Sequence, residues 1–124
     1  MISERTIAAI RQFHEQRDWE AYHTPENLAK SICIEAAELL ECYQWGAQNP
    51  MGGPEHVKDE LADVLTYCIT MADRLGCDMD EIIMAKLEKT ERKYPVAEVR
   101  GDFKAYARRH EEGHEGPKLD EISA

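Results

Sequence analysis

Glu35 and Glu38 stand three residues apart, and so do Glu60 and Asp63. On an α-helix, side chains at i and i+3 share one face. Carboxylates gathered at an apolar margin without partners cost several kcal/mol or take up a proton. A hard cation with oxygen ligands removes that conflict. Mg²⁺ suits the set, because it accepts one or two carboxylates and keeps its remaining positions for water and substrate phosphates; Mn²⁺ is a substitute of similar chemistry. Trp19, Trp45 and Tyr67 are rings that could stack on a base, since every base has a π-face, whereas His23 taken alone reads as a structural or surface histidine. Asn27 can read a base edge or serve a first helical turn. Lys86, Arg92 and Lys93 can hold phosphates. The bland counterparts are a solvated acidic face, aromatic core packing and solvated basic side chains.

Other chemistries fit less well. A di-iron bundle needs Glu-x-x-His from each of two helices. Apart from Glu20–His23, ahead of a helix cap, that spacing occurs only at Glu111–His114, in a Gly-containing tail. No G-x-x-x-x-G-K-[ST] loop is present, so P-loop chemistry is absent.

The elements that must position these residues are helical. Ser3 caps a first helix to about Arg17, with Ile7, Ile10 and Phe13 as its stripe. Thr24-Pro25-Glu26 supplies a cap, a proline at N1 and an acid in the first turn of a second helix, expected to run to about Ala47. Asn49-Pro50-Met51-Gly52-Gly53 reads as a loop. Pro54 opens a third helix, ending near Leu75 with Gly76 behind it. Asp78 caps a fourth, stopped after Tyr94 by Pro95. No useful β-alternation and no internal repeat appear.

Helical angles place the acids. With Leu28 at 0°, the apolar arc of helix two spans roughly 20–140°, and Glu35, Glu38 and Glu41 fall near 340°, 280° and 220°. Trp45 falls near 260°, on the acidic side of that arc. With Val57 at 0°, the apolar arc of helix three runs from roughly 320° round to 120°, and Glu60, Tyr67 and Asp63 fall near 300°, 280° and 240°. Each helix thus brings an acidic pair to the border of its core face, and antiparallel packing would let four carboxylates converge. The arc of helix three spans roughly 160°, wider than the ~100° of a one-sided surface helix. Helix four adds Met79, Ile82, Ile83 and Leu87. Self-association would cover that excess.

Composition sets the bounds. The 124 residues fit one domain, and 43% hydrophobic with 32% charged residues is a globular balance. Fifteen Lys plus Arg against twenty-five Asp plus Glu gives a net charge of −10. That argues against nucleic-acid coating and against anionic membranes, both of which need a basic surface. No apolar run is long enough to span a bilayer, and Met1–Ile10 carries Glu4 and Arg5 with no signal-peptide core. Cys33, Cys42, Cys68 and Cys77 form no C-x-x-C pair and read as reduced thiols of a cytoplasmic protein. From Gly101 the chain turns polar. Residues 1–107 are expected to form the domain and 108–124 a disordered tail.

The same residues spell a known pattern. E-x-x-E at Glu35 and Glu38 followed by E-x-x-D at Glu60 and Asp63 resembles the all-α nucleoside triphosphate pyrophosphohydrolases of the MazG-like group. Arg17-Asp18-Trp19-Glu20, His23 and Asn27-Leu28-Ala29 resemble the entry segment of its dCTP pyrophosphatase branch, as do Glu38-Leu39-Leu40-Glu41 with Gln44-Trp45 and the run Asp59–Leu65 with Tyr67. Lys86-Leu87 and Arg92-Lys93-Tyr94-Pro95 resemble the closing motif. The likeness spans about residues 5–107. Two positions depart: Ile34 stands where the wider group often has a first Glu, as it does not in the dCTP pyrophosphatase branch, and Thr90 stands where the closing motif usually has Asn.

The resemblance implies a four-helix all-α bundle assembled as a dimer or dimer of dimers, with sites near subunit contacts. It implies a Mg²⁺-dependent hydrolase cutting a nucleoside triphosphate between the α and β phosphates, in nucleotide-pool sanitising, with dCTP or a modified relative as substrate. Glu35, Glu38, Glu60 and Asp63 would hold metal. Neither the residues nor the resemblance says which acid is the base; Glu38 is our choice, with Glu41 standing behind the ligands. Trp19, His23, Asn27, Trp45 and Tyr67 would meet base or sugar. Lys86, Thr90, Arg92, Lys93 and Tyr94 would meet the rest of the substrate. Two other readings stand beside this one: a related enzyme for another triphosphate such as phosphoribosyl-ATP, and a catalytically silent nucleotide-binding or regulatory module.

Overall fold

The structure is a computed structural model that describes residues 2–48 and 50–113. It is helical throughout, with no strand among the described residues. The helices are α1 (Glu4–Gln16), α2 (Pro25–Glu41), α3 (Gly53–Arg74), α4 (Met79–Lys93), α5 (Val96–Val99) and α6 (Phe103–Gly113), with a 3-10 turn at Glu20–Tyr22. The chain forms two compact units, Met1–Met79 and Asp80–Ala124. Among the described residues, no helix is long and apolar enough to cross a membrane.

In the first unit the caps fall where the sequence puts them. The Ser3 hydroxyl accepts from the Thr6 amide at 3.3 Å, and the Thr24 hydroxyl from the Asn27 amide at 3.2 Å. Each satisfies a backbone donor that the first helical turn leaves without a partner. Asp18 takes a left-handed φ of 56°, a conformation that its short polar side chain tolerates, and turns the chain back beside α1. α3 packs on α2 and, less extensively, on α1. Arg11 on α1 forms a two-pronged ion pair with Asp73 on α3. Leu28, Ile69 and Ala72 form the buried centre, with Cys42.

Helix α2 stops at Glu41, six residues short of the expected Ala47. The carbonyl of Cys42 would accept from Gly46 if the helix continued. It accepts instead from the Met51 amide at 2.7 Å, while Gly46 bonds back to Tyr43 in a tight turn. This closes the loop and sets the start of α3 beside the end of α2, an αα-hairpin. The far edge of the expected α2 core arc, Cys33 and Leu40, is exposed.

In the second unit, α4 ends where Pro95 stops it, a short α5 follows, and α6 forms in the stretch that turns polar from Gly101. α6 stays helical past residue 107 to Gly113; the remainder of the expected tail lies outside the described residues. Arg109 donates to the Lys93 carbonyl at 2.9 Å and pairs with Glu98, and the Tyr94 and Tyr106 rings lie 5.1 Å apart. These tertiary contacts give a polar sequence a reason to fold that its composition does not carry.

Candidate metal and nucleotide site

The α2–α3 hairpin brings the two acidic pairs together. Glu35, Glu38 and Glu60 each offer a carboxylate oxygen, and the three oxygens lie within 4.8 Å of one another. Glu35 and Glu60 are half-buried, and the Oε2 of each is shut from water with no hydrogen-bond partner. Glu38 and Asp63 are exposed. Asp63, one turn beyond Glu60, stands outside the close trio, and its charge still acts on both Glu35 and Glu60. Glu41 is the last residue of α2 and is exposed.

The trio is strained electrostatically. Burial holds the Glu35 carboxyl above its ordinary range, helped by a hydrogen bond with Glu38 and by the charges of Glu38, Asp63 and Glu60. Glu60 is raised too, by burial first and then by Glu38, against the opposing charge of His56. Two buried carboxylate oxygens without donors are the groups that natural proteins rarely leave unpaired. The donor set is all hard oxygen, and a divalent cation such as Mg²⁺ or Mn²⁺ fits it.

The aromatic candidates divide. Trp19 is 43% exposed and leans edge-on against Phe13, centroids 5.6 Å apart. His23 meets the His14 ring edge-on at 4.4 Å. Tyr67 is half-buried on α3, at an angle close to that of Glu60. Trp45 corrects the angular reading given above: it sits in the turn beyond α2 and has no helical angle, and it is 79% exposed. Asn27 serves the helix start, its side-chain amide donating to the Tyr22 carbonyl at 3.0 Å.

The basic candidates lie in the second unit. The Thr90 hydroxyl donates to the Lys86 carbonyl at 3.0 Å, Arg92 pairs with Glu88 at 3.2 Å, and the Lys93 ammonium lies 5.1 Å from the Tyr94 ring centre. Lys86 is exposed.

Three features escaped the sequence reading. His56 lies 3.5 Å from Glu60, a neighbour that i, i+4 spacing would have revealed. His14 follows Ile10 by four residues, so it shares the stripe of α1, and that spacing was the available signal. Residues 110–114 carry the H-E-x-x-H spacing that binds zinc in metalloproteases. Here His110 stacks on Tyr106 and lies 3.5 Å from the Tyr94 hydroxyl, and His114 is outside the described residues. The described geometry assembles no zinc site there.

Comparison with known proteins gives a consistent picture. The profile of the MazG-like family matches residues 30–107. The chain is 33% identical over 115 residues to dCTP pyrophosphatase 1 of Bos taurus, covering 84% of this chain and 68% of that one. It is also 33% identical to dCTP pyrophosphatase 1 of Homo sapiens, over 83% of this chain and 67% of the relative. A crystal structure of a pyrophosphatase from Archaeoglobus fulgidus superposes with a TM-score of 0.65 at 39% identity, covering 74% of this chain and 91% of the other.

Proposed function

The chain belongs to the MazG-like family and is a nucleoside triphosphate pyrophosphatase, and from that premise we propose that it hydrolyses dCTP or a modified relative to the monophosphate and pyrophosphate with Mg²⁺. The observation that carries the metal assignment is the pair of orphaned, buried oxygens of Glu35 and Glu60 inside the acidic trio. Glu35, Glu38, Glu60 and Asp63 would hold the cation, which when bound neutralises the triphosphate and lowers the pKa of a water.

The protein's own groups supply the rest. The hairpin fixes the acids before substrate arrives. Glu38 is the exposed member of the trio, and we assign it the proton of the attacking water. The water oxygen bonds to phosphorus as the bridging P–O bond breaks, and pyrophosphate leaves with that electron pair. Trp19, His23, Trp45 and Tyr67 meet the nucleoside end, and Asn27 ties the start of α2 to the 3-10 turn that lies between Trp19 and His23. The basic residues Lys86, Arg92 and Lys93, with Thr90 and Tyr94, are our candidates for the rest of the substrate. Thr90 spends its hydroxyl hydrogen on its own helix, so any contact it makes to substrate is as an acceptor.

Pyrophosphate release measured across the common and 5-substituted nucleoside triphosphates, with and without Mg²⁺, tests the proposal. Cytosine deoxynucleotides are expected to give the highest kcat/KM, and only with the divalent ion. A preference for phosphoribosyl-ATP would overturn the substrate, and no release from any of them would favour the silent module.

Trp45 is expected to act through binding alone. An exposed ring in a pinned loop contributes little to folding, whereas a stacked base is worth ~1–3 kcal/mol. Trp45→Ala should therefore raise KM about tenfold with little change in kcat or melting temperature. An unchanged KM would remove Trp45 from the site. Trp19→Ala should lower the melting temperature as well, because it also strips the Phe13 contact.

A further inference from the structure

A second cleft opens in the first unit between α1, the 3-10 turn and the C-terminal half of α3. It measures about 210 Å³ and is lined by His14, His23, Glu20, Thr70, Asp73 and Arg74, with Arg11. Thr70 and Arg74 follow Asp63 by seven and eleven residues, so both project within about 20° of it around α3. The cleft therefore continues the face of α3 that carries the metal acids, two to three turns further along. One elongated substrate with its phosphates at the acids would point its nucleoside end here.

We propose that His14 is a positioning residue for that nucleoside end, acting by fixing the imidazole of His23. The inference rests on the reading that His23 contacts the nucleoside. His23 belongs to the short irregular stretch between the 3-10 turn and α2, and such a segment does not by itself lock a ring. His14 is on α1, which the Arg11–Asp73 pair ties to α3. Its ring meets His23 at 4.4 Å with the planes 75° apart, the edge-to-face arrangement that aromatic pairs favour. The same ring stands 6.3 Å from Trp19, and the His14 carbonyl accepts the Trp19 amide at 3.1 Å. One residue on a braced helix thus touches both aromatic candidates of the entry segment. Burial, with His23 close by, lowers the His14 pKa, which favours the uncharged His14 ring.

A double-mutant cycle in the full chain decides the matter, with kcat, KM for dCTP and the melting temperature measured for His14→Ala, His14→Phe, His23→Ala and the His14→Ala/His23→Ala pair. His14→Ala should raise KM about 3- to 10-fold with kcat within twofold, the size of one aromatic contact. His14→Phe keeps an edge-on ring without a titrating nitrogen and should restore KM. The double variant should be no worse than His23→Ala alone. An unchanged KM in His14→Ala with a raised KM in His23→Ala overturns the inference and leaves the function standing. Full additivity of the two effects also overturns it, since His14 would then act without His23. If neither variant moves KM, the assignment of His23 to the nucleoside falls, and this inference with it.

Discussion

Glu38→Gln, Glu60→Gln and Asp63→Asn should each reduce Mg²⁺-dependent pyrophosphate release by at least about 100-fold, the upper end of what losing even an outer metal partner costs. The metal-free variants should melt at or above the wild-type temperature. The reason is the geometry of the trio: three carboxylate oxygens within 4.8 Å repel, and Glu35 and Glu60 are held above their ordinary pKa by burial and by their acidic neighbours. Removing one charge relieves the others while taking a ligand away. The sign with pH follows. An acid whose folded pKa is raised binds more protons in the folded state, so its stabilising contribution is complete below the ordinary carboxylate range and is lost as pH rises through the folded value. Metal-free protein should therefore lose melting temperature over that window. The upward shift produced by Mg²⁺ should grow over the same window, because the ligands must be deprotonated. Thermal shift with EDTA or Mg²⁺ at stepped pH, beside the activity assay, measures both. Full activity in any one variant at saturating Mg²⁺ removes that residue from the site. Glu41→Ala should cost much less, because Glu41 is the exposed last residue of α2 and, unlike Asp63, is not among the charges that raise Glu35 and Glu60; an equal loss would contradict that placement.

The parts of the site that were legible in the sequence are those fixed by local chemistry. Ser3 and Thr24 cap where hydroxyl-to-amide bonding demands, and the i, i+3 acids land at the margin of the α2–α3 packing because helical geometry leaves them no other place. The family was legible too, since the two acidic pairs and their flanking residues form one pattern. What was illegible depends on contacts distant along the chain. The end of α2 is set by a Met51 amide reaching Cys42, a bond no local propensity encodes, and that bond moved Trp45 off the helix. The folding of residues 108–113 depends on Arg109 meeting Lys93 and Glu98. His14 gains meaning only because Asp18 takes a left-handed turn and returns His23 to α1.

The active protein should weigh two or four times the 14.2 kDa of one chain in light scattering at micromolar concentration. α4 runs fifteen residues without burying one. Ile82, Ile83, Met84 and Leu87 on it remain 48%, 56%, 64% and 54% exposed. Met84, Ala85, Leu87 and Tyr94, interleaved with Glu81, Glu88, Thr90 and Glu91, line a groove of about 930 Å³ along α4 and just beyond its end. On α3, Leu61 and Leu65 are also exposed, one turn apart. Burying a single such side chain is worth ~1.5–3 kcal/mol, so leaving this set in water is a large and avoidable cost. A second copy offers the same apolar residues and closes the contact by twofold symmetry, the commonest arrangement among oligomers. Leu87→Glu places a charge in that surface and should yield monomer with its helicity retained. Lys86, Arg92 and Lys93 share the same helix, so if they serve the substrate of a neighbouring copy, the monomer should lose activity together with mass. An active wild-type species near 14 kDa would defeat the assembly and the shared site at once.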